Sequence, residues 1–236
     1  MDDLERYADY NDYEEDETKK KSPVGLILKI LVGVVCLAVV GVLAFRIIIF
    51  NNYPDSMKKL YFDDALTSYY NEVDGDIGAL TQNLRAEYDD PDEGNFFCDN
   101  LIVIPEINQI QVSVRYNTSL MQSIKEKYGV ELDADAENLF DYKLSVIPLS
   151  KNDGTAIPTG TLSAVKTDKM LMYRYNKLVF NGVDLTLDGE DEVWIRLEIT
   201  LNGIEMEKPY MILIYEDTAD AKFEEYKLSS GEKPSK

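Results

Sequence analysis

The chain has 236 residues, 44 of them acidic and 24 basic, for a formal net charge of −20, with two cysteines and no histidine. So negative a chain repels phosphate backbones, which disfavours nucleic-acid binding, and the lack of histidine excludes Ser-His-Asp and Cys-His catalysis and HExxH zinc sites in their usual forms. Two cysteines, one of them inside an apolar run, provide no disulfide framework, and the sequence implies no cofactor.

Residues 1–22 are rich in acids and carry Tyr7, Tyr10 and Tyr13. With little aliphatic content to bury, this segment is expected to be disordered, as a solubilising tail or as a site of tyrosine regulation. The apolar run over 23–50 follows directly on Lys19, Lys20 and Lys21. Some 20 apolar residues span a hydrocarbon core of about 30 Å, so this run predicts one transmembrane helix. Lys29 and Arg46 fall near its two ends, where long stems let the charged heads reach the interface. Val42-Leu43-Ala44 resembles a small-residue cleavage site, yet the apolar run continues beyond it, so a retained anchor is the expectation. The lysine triplet outweighs Lys58 and Lys59 on the far side, which predicts a cytoplasmic N-terminus and an extracytoplasmic remainder. The cysteine-poor outer part points to a bacterial surface.

Between 51 and 95, Phe62, Leu66, Tyr69, Val73, Ile77, Leu80, Leu84 and Tyr88 recur at helical spacing. This predicts a juxtamembrane helical stalk, broken near Gly75 and Gly78, that packs on the following domain or pairs between chains. The acid-rich linker 88–95 lacks the order of a calcium loop.

The outer domain is expected over 96–226, and from Asn100 the period becomes two. Ile110, Val112, Val114 and Tyr116 alternate with Gln111, Ser113 and Arg115, the pattern of a strand with one buried face. Segments 101–104, 142–149, 162–165, 170–180, 183–187, 193–201 and 210–215 also read as strands. Asn152-Asp153-Gly154 marks a turn, and Asn181-Gly182 and Asn202-Gly203 predict tight hairpins. One helix is expected within 118–129, starting at Thr118 or Ser119 and closed by Gly129. The fold class that results is mainly β, an antiparallel β-sandwich behind a helical stalk and one transmembrane helix, with 227–236 as a disordered tail.

Candidate functional residues are few. Trp194 lies opposite the apolar set of its strand, beside Arg196 and Glu198, and could anchor a partner or be covered by a loop. Tyr173 and Tyr175 share a face and could join that partner surface or serve as sheet packing. Cys98 is expected in the core. The leading expectation is a non-enzymatic, single-pass envelope protein, binding a protein partner or its own copies, or serving as a subunit of a membrane assembly. Alternatives are a carboxylate-based glycoside hydrolase, which needs no histidine, and a sensor signalling through the tyrosine tail.

Overall fold

The computed structural model describes residues 23–51, 53–84, 96–130, 132, 139–148, 157–185, 192–205, 210–215, 223–229 and 231–234, and the chain divides into two units, Met1–Asn51 and Asn52–Lys236. In the first unit, helix α1 (Pro23–Asn51) opens on a proline, whose missing N–H is harmless in a first turn. Its 25-residue stretch Val24–Ile48 is long and apolar enough to cross a membrane, and none of it is buried against the chain. Lys19, Lys20, Lys21 and the three tail tyrosines lie outside the described residues, whereas Lys29 and Arg46 stand on α1 with exposed side chains.

The second unit is mainly β. Six strands pair antiparallel in the order β11 (Glu224–Glu225), β1 (Leu80–Asn83), β2 (Phe96–Ile104), β3 (Gln109–Asn117), β7 (Tyr173–Asn181) and β6 (Thr161–Met170). A second antiparallel sheet runs β10 (Tyr210–Tyr215), β8 (Glu192–Leu201), β4 (Asp141–Pro148) and β5 (Ile157–Pro158), with β9 (Ile204–Glu205) on β8. Both sheets feed one core: Val112, Val114 and Tyr116 of β3 belong to the same buried cluster as Leu144 of β4 and Ile195 and Leu197 of β8. Phe96, Tyr116 and Phe140 meet there at ring separations of 5.0 to 5.5 Å, and Cys98 is a buried free thiol in the same cluster.

Hairpin chemistry is met at Asn202-Gly203, where both residues have positive φ (51° and 79°) between β8 and β9, as a type I′ turn requires. At Asn181-Gly182 the expectation is corrected. The chain leaves the sheet there, and the Val183 amide donates to the Asn108 carbonyl instead of to a returning strand. The tight hairpin lies earlier, with Leu171 at φ 55° between β6 and β7, so the segment 170–180 that reads as one strand contains a turn. Residues 183–185 form no strand, and Asn152-Asp153-Gly154 lies outside the described residues.

The helical stalk is corrected as well. Residues 55–84 form two short helices, α2 (Asp55–Lys58) and α3 (Asp64–Glu72), and then β1, which is a member of the six-stranded sheet. Asp63 caps α3 by accepting the Leu66 amide at 2.9 Å. A turn through Asp74 and Gly75, both at positive φ, ends the helical spacing. Leu66, Ile77 and Ala79 then bury against Ile102 and Ile104 of β2, so the apolar stripe packs in cis. The C-terminal segment, expected as a free tail from 227, docks on the same cluster through Tyr226 and Leu228, with Glu232 buried. The helix within 118–129 is α4 (Leu120–Tyr128), closed by Gly129 at φ 68°. Its start carries no side-chain cap from Ser119; Asn117 accepts the Ser119 amide at 3.0 Å instead.

Candidate functional site

The polar face of β3 is where sequence and structure differ most usefully. Gln109, Gln111, Ser113 and Arg115 are all buried, although strict alternation assigns them to solvent. Their cover is the segment 53–63, a strap laid over the sheet that includes the short helix α2. Gln111 clasps it twice, accepting the Tyr61 amide and donating to the Tyr61 carbonyl, each at 2.8 Å. Ser113 donates to the Met57 carbonyl at 2.9 Å, and Lys177 of β7 donates to the Lys59 carbonyl. Asp63 collects Gln109 at 3.0 Å, Asn181 at 2.8 Å and Ser163 at 3.0 Å besides its cap bond. Burial raises the Asp63 carboxyl, but these hydrogen bonds outweigh it and hold the group below its ordinary value.

The C-terminal segment completes the clasp. The Leu60 amide donates to Glu232 at 2.9 Å and to the Tyr226 hydroxyl at 3.1 Å, and the Tyr226 hydroxyl itself donates to Glu232. Burial of Lys177 drives its pKa down to about 7, with the Glu232 carboxylate pulling the other way. A lysine with such a value is a familiar general base, yet this one is fully buried and its donor is committed to the strap. What the arrangement does chemically is close a polar layer in which Gln109, Gln111, Ser113 and Lys177 find their partners on the strap.

Tyr175 belongs to this layer too: it is buried, with its ring 5.5 Å from that of Tyr53 in an edge-on contact. Tyr173 is half-buried beside it, with the Arg115 guanidinium 5.1 Å over its ring. Trp194 is half-buried on the opposite sheet, its neighbours Arg196 and Glu198 joined at 2.9 Å. Thus Tyr173 and Tyr175 come together under the strap, while Trp194 and Arg196 form a separate patch.

One concave site emerges that the residue pattern did not single out. A cavity of about 410 Å³ is lined by Thr118, Met121, Gln122, Lys125, Leu132, Lys169 and Arg174. The β6–β7 hairpin sets Lys169 directly opposite Arg174, and Arg174 in turn opposite Tyr116 of β3. Thr118 fixes the start of α4 to the same hairpin, its amide and hydroxyl both donating to the Met172 carbonyl, at 2.8 and 3.1 Å. Lys125 of α4 lines the same cavity. Arg174 is only 5% exposed. Burial pushes the Tyr116 hydroxyl up, opposed by the hydrogen bond and charge of Arg174, so the guanidinium is oriented by a neighbour. A turn recognised at Leu171-Met172 would have set Lys169 against Arg174 from sequence alone.

Among the described residues no group of three or more Cys, Asp or Glu side chains gathers as a metal ion would need. No protein-family model, curated protein or solved structure matches the chain.

Proposed function

We propose that the chain is a single-pass, membrane-anchored module of the cell envelope, with its N-terminus in the cytoplasm and a β-sandwich outside it that binds a partner or serves as a subunit of a membrane assembly. The observation that carries this reading is α1. The 25-residue stretch Val24–Ile48, apolar but for Lys29 and Arg46 near its ends, is exposed all round, and none of it is buried by the rest of the chain. In water that surface would cost about 25 cal/mol for each Å² left uncovered, so lipid is its natural cover. A soluble core helix would be wrapped by its own domain, and this one is not. The face of β8 that carries Trp194, Arg196 and Glu198, on the other sheet from the strap, is the surface this reading offers to a protein partner or a second copy.

The test is topological. The full chain carrying Glu205→Cys, with Cys36→Ser to remove the thiol of α1, is expressed in cells and treated with a membrane-impermeant maleimide. Labelling of intact cells, with the full-length protein retained in the membrane after alkaline washing, is the expected result. Labelling only after permeabilisation overturns the orientation, and release as a shortened soluble chain overturns the anchor.

A further inference from the structure

We infer that the C-terminal segment is a latch for the strap: withdrawing residues 226–232 lifts 53–62 off a sheet that stays folded, and so lengthens the link between α1 and the β-rich unit. The first argument is how the strap is held. Outside α2 it belongs to no helix and no sheet. Side chains grip its backbone from beneath, Gln111 at Tyr61, Ser113 at Met57 and Lys177 at Lys59, and Asp168 of β6 accepts the Ser56 hydroxyl at 2.5 Å. A segment held without a ladder of backbone bonds is one that opens locally before the fold does.

The second argument is the surface beneath. Gln111, Ser113 and Lys177 are polar, so uncovering them exchanges hydrogen bonds to the strap for hydrogen bonds to water, with little net change. An apolar face would aggregate when bared, whereas this one suits both a covered and an open state. The apolar side chains that the strap buries are three: Tyr53 and Met57, which pack with Tyr175, and Leu60.

The third argument is the latch itself. The Leu60 amide finds both of its acceptors in the C-terminal segment, Glu232 at 2.9 Å and the Tyr226 hydroxyl at 3.1 Å. Glu232 is fixed there in turn, accepting the Ser229 amide at 2.8 Å, the Ser229 hydroxyl at 2.7 Å and the Tyr226 hydroxyl. Tyr226 and Leu228 pack on the same apolar cluster as Leu60. The grip on the middle of the strap therefore comes from the far end of the chain.

The lift stops at Asp63, which stays tied to Gln109, Asn181 and Ser163 and caps α3. Residues 53–62 then become free chain, ten residues that reach up to about 33 to 36 Å when extended. Because α1 ends at Asn51, that length is added between α1 and the sheet. The change of reach rests on the proposed reading of α1 as an anchor; the latch lies wholly within the β-rich unit and does not.

The experiment is hydrogen exchange, read by mass spectrometry, on the full chain in detergent and on two variants. One is a chain ended at Glu225, which keeps β11; the other is Glu232→Ala, which keeps the packing of Tyr226 and Leu228. In both, exchange of the Leu60 and Tyr61 amides should rise by about tenfold or more while β2 and β3 exchange as in the parent chain. Trypsin should cut after Lys58 or Lys59 faster by a similar factor, because a protease needs the segment lifted clear of the sheet. Unchanged strap exchange in both variants overturns the inference. So does a rise in β3 that keeps step with the strap in Glu232→Ala, which would make the strap inseparable from the fold. The labelling result would stand in either case.

Discussion

Lys177 and Lys59 meet as donor and acceptor: the buried amine of β7 donates to the carbonyl of the strap, joining the sheet to residues 118 positions earlier. Burial lowers the amine from its ordinary 10.5 to about 7, so between those values the folded chain holds fewer protons here than the unfolded one. Stability must then rise with pH across this window. The contribution is complete above about pH 10.5, is lost as pH falls through 7, and is flat below that. From pH 7 to pH 9 the gain should be of order 2 kcal/mol, read as a rise in Tm of the full chain in detergent. In Lys177→Met the rise should vanish, whatever the variant loses overall from the missing bond to Lys59. A rise of equal size in the variant would show that another group titrates. Tyr226, which burial and Glu232 raise, is not that group, because a raised hydroxyl makes stability fall, not rise, as pH climbs past its ordinary value of 10.

The strap explains how much of this fold was legible. Alternation in β3 correctly assigns Ile110, Val112, Val114 and Tyr116 to the core, because a period of two depends only on local geometry. It is silent about what covers the other face. Gln111, Ser113 and Arg115 read the same whether they meet water or a polar strap that arrives from 50 or more residues away. The stalk was misread for a related reason. Ile77, Leu80 and Leu84 continue a helical spacing by number, but positive φ at Asp74 and Gly75 ends the helix, and Leu80–Asn83 is then recruited as a strand between β2 and β11. In the same way Leu171 takes a left-handed turn that a leucine does not advertise, because nine register pairs between β6 and β7 outweigh its local preference. Missing that turn hid the cation pair at Lys169 and Arg174, and with it the cavity.

Asp63 does several jobs at once, and Asp63→Ala should show their sum. The cap bond to Leu66 is worth about 0.5 to 2 kcal/mol, and leaving the Gln109 and Asn181 amides without their acceptor adds about 1 to 3 kcal/mol. The expected loss is therefore about 1.5 to 5 kcal/mol in thermal or chemical unfolding. Asp63→Asn keeps an acceptor oxygen for some of these donors and should lose less. The wild-type carboxyl lies below its ordinary value of 3.8, so its contribution is present above that pH and is lost as pH falls through the lower, folded value. Acid unfolding of Asp63→Asn should accordingly be shallower over that range, and an equally steep acid limb would assign the steepness to another carboxylate.

Asp99 and Arg115 form a buried ion pair at 2.8 Å, with side-chain exposures of 0% and 5%. Asp99 is the extra residue where the β2–β3 register shifts between Cys98 and Asn100, and the bulge aims its carboxylate at the outer face. Arg115 is held in turn over the rings of Phe97 at 4.6 Å and Tyr173 at 5.1 Å. Two desolvated charges attract strongly but have each surrendered hydration, so breaking the pair costs more than replacing it. Arg115→Met, which strands the Asp99 charge, should destabilise by about 3 to 5 kcal/mol. Adding Asp99→Asn to that variant removes the stranded charge and should restore a large part of the loss. If the double variant is no more stable than Arg115→Met, the stacking of the guanidinium on Phe97 and Tyr173, and not its charge, is what the strap side of the sheet requires.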